Sequence, residues 1–527
     1  MPTKPNLNPP MAEENDQLRA LCLSAAKDLH AECLAVLEEG NDSIESGNEP
    51  HQVLAGSHIS GCGKPLVQLL QRQADKLFQV YSFSPLAPLD ETLALLKRRL
   101  DDLITISYSK FYAYPFKDLP VCWRQLYTDA SIMKFACLYL SCPPASQPST
   151  VLLDEMVWSL DRALILAGAA GERRGRRWID KAFSLLENAW PALPRPDDAH
   201  GLESDHTRPH KRRRLSDESI KLWRDTPSFS THEVFTPPIK LPVKRIQAIS
   251  LERFQAHLSQ QTEKGRGPLP LVISGLSDEW PARTTHPWDK PAYLLSRTFG
   301  GRRLVPVELG RSYVDEGWGQ KIIPFGEFLA NYIDPATREP ANEQTPPDKI
   351  RKIGYLAQHQ LLTQLPQLCS DITVPDYCYT VPPGHPTDPS QDQPELDTPQ
   401  LNAWLGPPGT ITPLHTDPYH NLLVQVVGRK YVRLYAPHET PRMRARGKEG
   451  GVEMANTSKW DVGVFEGWDD PEGEEETDER KREDFGKVDY LECILDPGDT
   501  LYIPIGFWHY VRGLTVARQN VGLDIGG

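Results

Sequence analysis

Short runs of β-type residues crowd the last quarter of this 527-residue chain, and they restrict its fold more than any other feature. After Pro375 come Asn402-Ala403-Trp404-Leu405, Asn421 to Val427, Lys430 to Tyr435, Leu491 to Leu495 and Thr500 to Ile503. Gly428-Arg429 joins the second and third of these as a hairpin. Strands this short and closely spaced pack as a sandwich or barrel. Period two then sets Lys430, Val432 and Leu434 on one face. Upstream, from Val234, the texture is mixed: Leu271-Val272-Ile273 and Leu304-Val305-Pro306-Val307 predict strands. Lys290 to Phe299, Phe325 to Tyr332 and Leu356 to Leu362 predict short helices.

The first part of the chain has a different rhythm. Leu18, Leu21, Cys22, Ala25, Ala26 and Leu29 recur at three and four, and Cys33, Val36 and Leu37 continue the stripe, which predicts a helix ended by Gly40-Asn41-Asp42. Further helices are expected near Leu66 to Tyr81, Leu89 to Ile106, Trp123 to Leu140, Leu152 to Leu166 and Trp178 to Trp190. The expected organisation is therefore α+β. Residues 1–14 are disordered, 15–192 form an all-helical domain, 193–232 a flexible linker, and 233–527 a β-rich domain with a charged loop insertion at about 440–486. Glu472 to Asp484 reads as a solvated part of that loop, or alternatively as an acidic lip that attracts basic peptides.

Charge and cysteine usage narrow the partners. A net charge of -13 argues against direct nucleic-acid binding by the whole molecule and suits a basic protein or peptide. No apolar run is long enough to span a bilayer, so no membrane is expected. The opening Met1-Pro2-Thr3-Lys4-Pro5 is polar, and no secretory leader is expected from it. Nine cysteines without a Cys-x-x-Cys pair fit reduced thiols in nucleus or cytoplasm, and exclude the zinc-finger spacing of many chromatin readers. Lys211-Arg212-Arg213-Arg214 in the linker is either a nuclear-import signal or a solvated charge run. Oligomeric state is left open.

Pro413-Leu414-His415-Thr416-Asp417-Pro418 and Pro504-Ile505-Gly506-Phe507-Trp508-His509 carry the chemistry. His415 and Asp417 are two apart, so a strand aims both the same way. With His509 from a strand distant in sequence, they form the two-histidine, one-carboxylate set that caps one face of Fe(II) and leaves the opposite positions open. The alternative for His509 is a core histidine between Trp508 and Tyr510. An inward Lys430 needs an anion, which a dicarboxylate co-substrate supplies, unless the side chain turns out to solvent at the hairpin end. Asn421 and Thr412 are candidates to bond the same ligand; otherwise Asn421 caps a turn and Thr412 is an ordinary strand residue.

These segments resemble the JmjC family of 2-oxoglutarate oxygenases. The likeness is carried by Asn402-Ala403-Trp404, Thr412 through Pro418, Val424 through Tyr431, Leu501 through Pro504 and Trp508 through Arg512, and also by Ile353 through Gln360, Pro375 through Cys378, and Val307 through Gly310 leading to Tyr313 and Trp318. The resemblance implies a double-stranded β-helix, the jelly-roll or cupin-like form of the β architecture. It implies Fe(II) on His415, Asp417 and His509, 2-oxoglutarate held by Lys430, Asn421, Tyr313 and Thr412, and Trp404 lining the substrate side. It further implies O2 as oxidant and, as substrate, a basic protein: a histone, or a ribosomal or chromatin-associated protein. Arginine hydroxylation is the expected reaction, with lysine demethylation by N-methyl hydroxylation as alternative and a non-catalytic cupin-like binding module as a second. The end, Val516 to Gly527, departs from the family pattern: Arg518 and Asp524 stand in a strand expected to back the co-substrate, so either the barrel closes differently or this end is an imperfect gene model.

Overall fold

The computed structural model describes residues 9–45, 58–83, 90–114, 118–143, 148–190, 228–229, 235–260, 266–315, 317–333, 353–449, 452–470, 479–514 and 520–526. The basic cluster Lys211 to Arg214, the acidic residues 472–478 and Arg518 lie outside them. Contacts divide the chain into two units, Met1–Thr207 with Arg302–Leu304, and Arg208–Gly301 with Val305–Gly527. No helix among the described residues is long and apolar enough to cross a membrane.

The first unit is helical: α1 Pro9–Glu45, α2 Lys64–Phe83, α3 Asp90–Phe111, α4 Val121–Leu140, α5 Thr150–Ala167 and α6 Arg176–Ala189. The periodic stripe of α1 is its buried face, with Leu18, Cys22, Ala25, Ala26, Leu29 and Cys33 essentially inaccessible. Helix α1 starts at Pro9, inside the stretch expected to be disordered, because prolines suit a helix's first turn, where an amide would have no partner. It also runs past Gly40 to Glu45, so the expected stop there is wrong. A glycine inside a helix costs about 1 kcal/mol, which a long packed helix tolerates. At the centre of this unit Arg174 bonds Glu32 and Asp129 at 2.6 and 2.9 Å, a buried ionic cluster joining three parts of the bundle.

The second unit contains β1 Lys244–Gln247, β2 Leu271–Ser274, β3 Leu304–Leu309, β4 Gly319–Pro324, β5 Gly354–His359, β6 Gln400–Gly406, β7 Ile411–His415, β8 Asn421–Val427, β9 Lys430–Tyr435, β10 Lys448–Glu449, β11 Val452–Glu453, β12 Tyr490–Leu495, β13 Asp499–Ile503, β14 Trp508–Gly513 and β15 Asn520–Gly526. One large sheet has the order β1-β2-β13-β8-β15-β6-β5-β3-β4, and a smaller one β12-β9-β14-β7. Sequence neighbours β8 and β9 fall in different sheets, so Gly428-Arg429 is a crossover and not the expected hairpin, and the chain alternates between two layers, the jelly-roll form of a β-sandwich. Strand β15 pairs with both β8 and β6 and fills the middle of the large sheet, closing it despite its unusual sequence.

Alternation sets the faces. Val432 and Leu434 of β9 pack with Leu423, Leu501, Ile503 and Val511 between the sheets. Tyr431 and Tyr435 point the other way, onto Met443, Trp460, Val462 and Phe485. The described residues between 440 and 486 are therefore not merely a solvated loop: apolar side chains spread along them cover the outer face of the small sheet. The outer face of the large sheet is covered in turn by Phe254, Leu258, Trp280, Trp288 and Phe328. One expected helix is corrected. Leu356 to Leu362 is strand β5 followed by a short helix, Leu361–Gln364. Its strand part is held by pairing with β3 and β6, which overrides the helical spacing of its leucines.

Candidate metal centre

His509 of β14 stands opposite His415 of β7 in the antiparallel register, and on its other side opposite Leu434 of β9. The same interior face thus carries both imidazoles, Val432, Leu434 and, at the end of β9, Lys430. Asp417 follows β7 by two residues. His415 Nε2 lies 3.6 Å from Asp417 Oδ1, and His509 Nε2 lies 3.4 Å from Asp417 Oδ2. One ligand atom from each of the three lies within 4.8 Å of the others. The structure brings together the three residues singled out in the sequence, although 92 positions (509 − 417) separate the last two.

Backbone carbonyls fix the imidazole tautomers. His415 Nδ1 faces the carbonyls of Pro413 at 2.8 Å and His509 at 3.1 Å, and His509 Nδ1 faces that of Phe507 at 3.0 Å. A carbonyl only accepts, so each Nδ1 carries a proton and each Nε2 faces Asp417 and the common centre. Burial, and then the neighbouring His509 ring, push the His415 pKa down to about 4, so it is neutral at physiological pH. Burial of Asp417 opposes ionisation, but the two imidazoles and the Asn421 amide outweigh it and hold the carboxyl well below the usual carboxylate range. Two imidazole nitrogens and one carboxylate, aimed at one point, are a donor set for a divalent ion that keeps open positions.

Strand β8 supplies the opposite wall. Leu423 faces the interior, so Asn421, two residues earlier, does too, and its amide donates to Asp417 Oδ2 at 2.6 Å. Lys430 is 2% exposed on the facing strand. Thr412, three residues before His415, shares a side-chain hydrogen bond with Tyr355 of β5. Gly406 makes room for that tyrosine: a Cβ there would stand 2.6 Å from the ring. On β6, Ala403 and Leu405 face the outer core, which turns Trp404 inward. Tyr313 takes a different partner from Thr412; its hydroxyl lies 3.3 Å from Thr457 Oγ1.

Three site residues escaped the sequence reading. Tyr355 was hidden by the helical reading of the segment after it. Thr457 lies within the stretch read as a loop, yet its backbone bridges His415. Glu308 of β3 stands opposite Tyr355 and accepts from Trp318 Nε1 at 3.4 Å. Burial raises its pKa, while Trp318 and Gln320 bond the carboxylate and pull the other way.

The Cupin-like domain family matches residues 260–524. Over 422 residues, 80% of this chain and 85% of the other, the chain is 33% identical to Lysine-specific demethylase 8 of Danio rerio. It is 39% identical over 250 residues to JmjC domain-containing protein D of Dictyostelium discoideum, and 35% identical over 270 residues to Jumonji C domain-containing protein 5 of Drosophila melanogaster. These two alignments cover 49% and 56% of those proteins. The chain belongs to the cupin-like JmjC family. As a JmjC protein it is a 2-oxoglutarate-dependent iron oxygenase, and its His-Asp-His cluster fits an iron site.

Proposed function

We propose that this JmjC enzyme hydroxylates arginine side chains in a basic protein. In this reading His415, Asp417 and His509 hold Fe(II), and Lys430, Asn421 and Thr412 hold 2-oxoglutarate, with Tyr355 fixing the Thr412 hydroxyl. The bound metal and co-substrate supply the activation of O2 for insertion of one oxygen atom into a C–H bond. The protein's part is to hold that bond near the open coordination positions and keep water away. Lys430 neutralises the far carboxylate of the co-substrate, and the Asn421 amide fixes the carboxylate of Asp417.

Glu308 carries the substrate assignment. It is a partly buried carboxylate on the wall of the chamber, and its side-chain partners are the indole N–H of Trp318 and Gln320 rather than a cation. A carboxylate desolvated in that way is costly unless the ligand brings the positive charge. A guanidinium presents five donors in a plane, which suits a carboxylate of this kind.

Lysine demethylation is the second reading, and the name of the Danio rerio relative favours it. A methylated ammonium also suits aromatic faces beside an acid. Incubation with Fe(II), 2-oxoglutarate and basic peptides distinguishes the two. A stable gain of one oxygen atom on arginine, with succinate formed in step, is the expected outcome. Loss of a methyl group with release of formaldehyde would replace hydroxylation by demethylation.

A further inference from the structure

We propose that Asn456 and Thr457 are positioning residues that make the Tyr313 hydroxyl a hydrogen-bond acceptor on the substrate side of the chamber. The inference rests on the reading of Glu308 as receptor for a cationic side chain, and extends it to a second group.

The argument follows the protons. Asn456 Nδ2 donates to the Thr416 carbonyl at 3.1 Å, and the Thr416 amide donates back to the Asn456 carbonyl at 2.9 Å. That pair fixes the side-chain amide, so Oδ1, which can only accept, is the atom turned toward Thr457. The Thr457 hydroxyl donates to it at 3.3 Å. A threonine hydroxyl has one proton. With that proton committed, the 3.3 Å contact between Thr457 Oγ1 and the Tyr313 hydroxyl leaves tyrosine as donor. The Tyr313 oxygen then offers only lone pairs to anything in the chamber. Thr457 bridges His415 through its backbone, which sets the Tyr313 hydroxyl beside the strand that carries the metal-facing histidine.

Such an oxygen suits a guanidinium, which only donates, and repels a carboxylate, which only accepts. Tyr313 therefore serves the substrate rather than the 2-oxoglutarate set in which the resemblance places it. The relay is rigid. Thr457 is 1% exposed, and Ser458 donates to the Leu414 carbonyl at 2.8 Å, so residues 456–458 run as an extra edge along β7. Arg311, two residues before Tyr313, bonds Asp315 at 3.2 Å, Asp461 at 2.8 Å and Asp469 at 3.1 Å, which ties the Tyr313 turn to the segment that carries Thr457.

The test uses the full chain loaded with redox-inert Mn(II) and 2-oxoglutarate, and a fluorescent pentapeptide with a central arginine, read by anisotropy without turnover. Thr457→Val should raise the Kd of the peptide about tenfold or more, the weight of one hydrogen bond to a charged group, while the affinity for 2-oxoglutarate stays put. Thr457→Ser, which keeps the hydroxyl, should restore binding. Asn456→Ala, at an exposed position, should weaken the peptide in the same direction by freeing the threonine proton for Tyr313, and it keeps the test open if Thr457→Val folds poorly. Unchanged peptide affinity in both, or a loss confined to 2-oxoglutarate, overturns the proposal. Glu308→Gln is the separate control: if it leaves peptide affinity unchanged, the cation-receptor reading itself is wrong, whatever Thr457 does.

Discussion

The Asn421 amide reaches across from the large sheet to donate to Asp417 at 2.6 Å, so the metal-facing carboxylate is oriented by the layer opposite the one that carries the two histidines. The metal centre is thereby sensitive to how the two sheets sit on each other. Asn421→Ala should lower Fe(II) affinity tenfold to a hundredfold, roughly the usual effect of removing a group that orients a metal ligand. Metal titration without 2-oxoglutarate measures this apart from any effect on the co-substrate; an unchanged Fe(II) affinity would contradict it.

Lys430 is 2% exposed, on the strand that carries Val432 and Leu434, and a buried ammonium is stabilised by an anion. Lys430→Ala should raise the Kd for 2-oxoglutarate by roughly ten- to a hundredfold, the range expected for a lost charge-assisted bond. Fe(II) affinity should stay near that of the unaltered protein. Calorimetric titration of the Mn(II)-loaded variant reads both quantities, and unchanged co-substrate affinity would remove Lys430 from the site.

His420 gives the fold an acid limit. Its Nε2 donates to the Pro383 carbonyl at 2.9 Å and its Nδ1 accepts from the Tyr502 hydroxyl at 2.8 Å, so the neutral ring is fully matched. Burial pushes its pKa from 6.5 down to about 4. Between those values the unfolded chain binds the proton and the folded one does not. Stability is therefore complete above about 6.5, falls as pH drops, and levels below about 4, a loss of about 3 kcal/mol in all. The stability difference between the unaltered protein and His420→Gln, followed by urea unfolding across that window, should shrink as pH falls. A constant difference would show that the ring is not the titrating group.

Gly506 sits in the turn that delivers His509. Its φ is +77°, and a Cβ would stand 2.3 Å from His385 Nε2. Gly506→Ala should destabilise by about 2 kcal/mol or more, from left-handed backbone strain together with the clash. The double variant with His385→Ala should recover the part due to the clash and leave the strain. Thermal melts of the two variants test this; equal losses would show that the ring yields freely.

The two-layer architecture was legible because Lys430, Val432 and Leu434 alternate strictly with Tyr431, Arg433 and Tyr435, and short strands with that period admit few arrangements. His415 and Asp417 were legible from their two-residue spacing, although the strand ends at His415 and Asp417 is brought round by the turn that follows it. Tyr355 was not, because Leu356, Leu361 and Leu362 have helical spacing and nothing local reveals that β3 and β6 claim the segment as a strand. Gln358 turns out of it with a φ of +48°, a conformation its sequence does not announce. Thr457 was hidden differently. The apolar residues that dock its segment, Met443, Trp460, Val462 and Phe485, are too far apart to make a periodic pattern, so charge dominated the reading.

The most direct test of the metal centre is equilibrium dialysis of the purified full chain against Fe(II) under exclusion of air, followed by metal analysis. A single iron per chain is expected for the unaltered protein, with little retained by Asp417→Ala although that variant remains folded by circular dichroism. An unaltered protein that takes up no iron, or an Asp417→Ala protein that binds it as well, would contradict the assignment of His415, Asp417 and His509 to the metal.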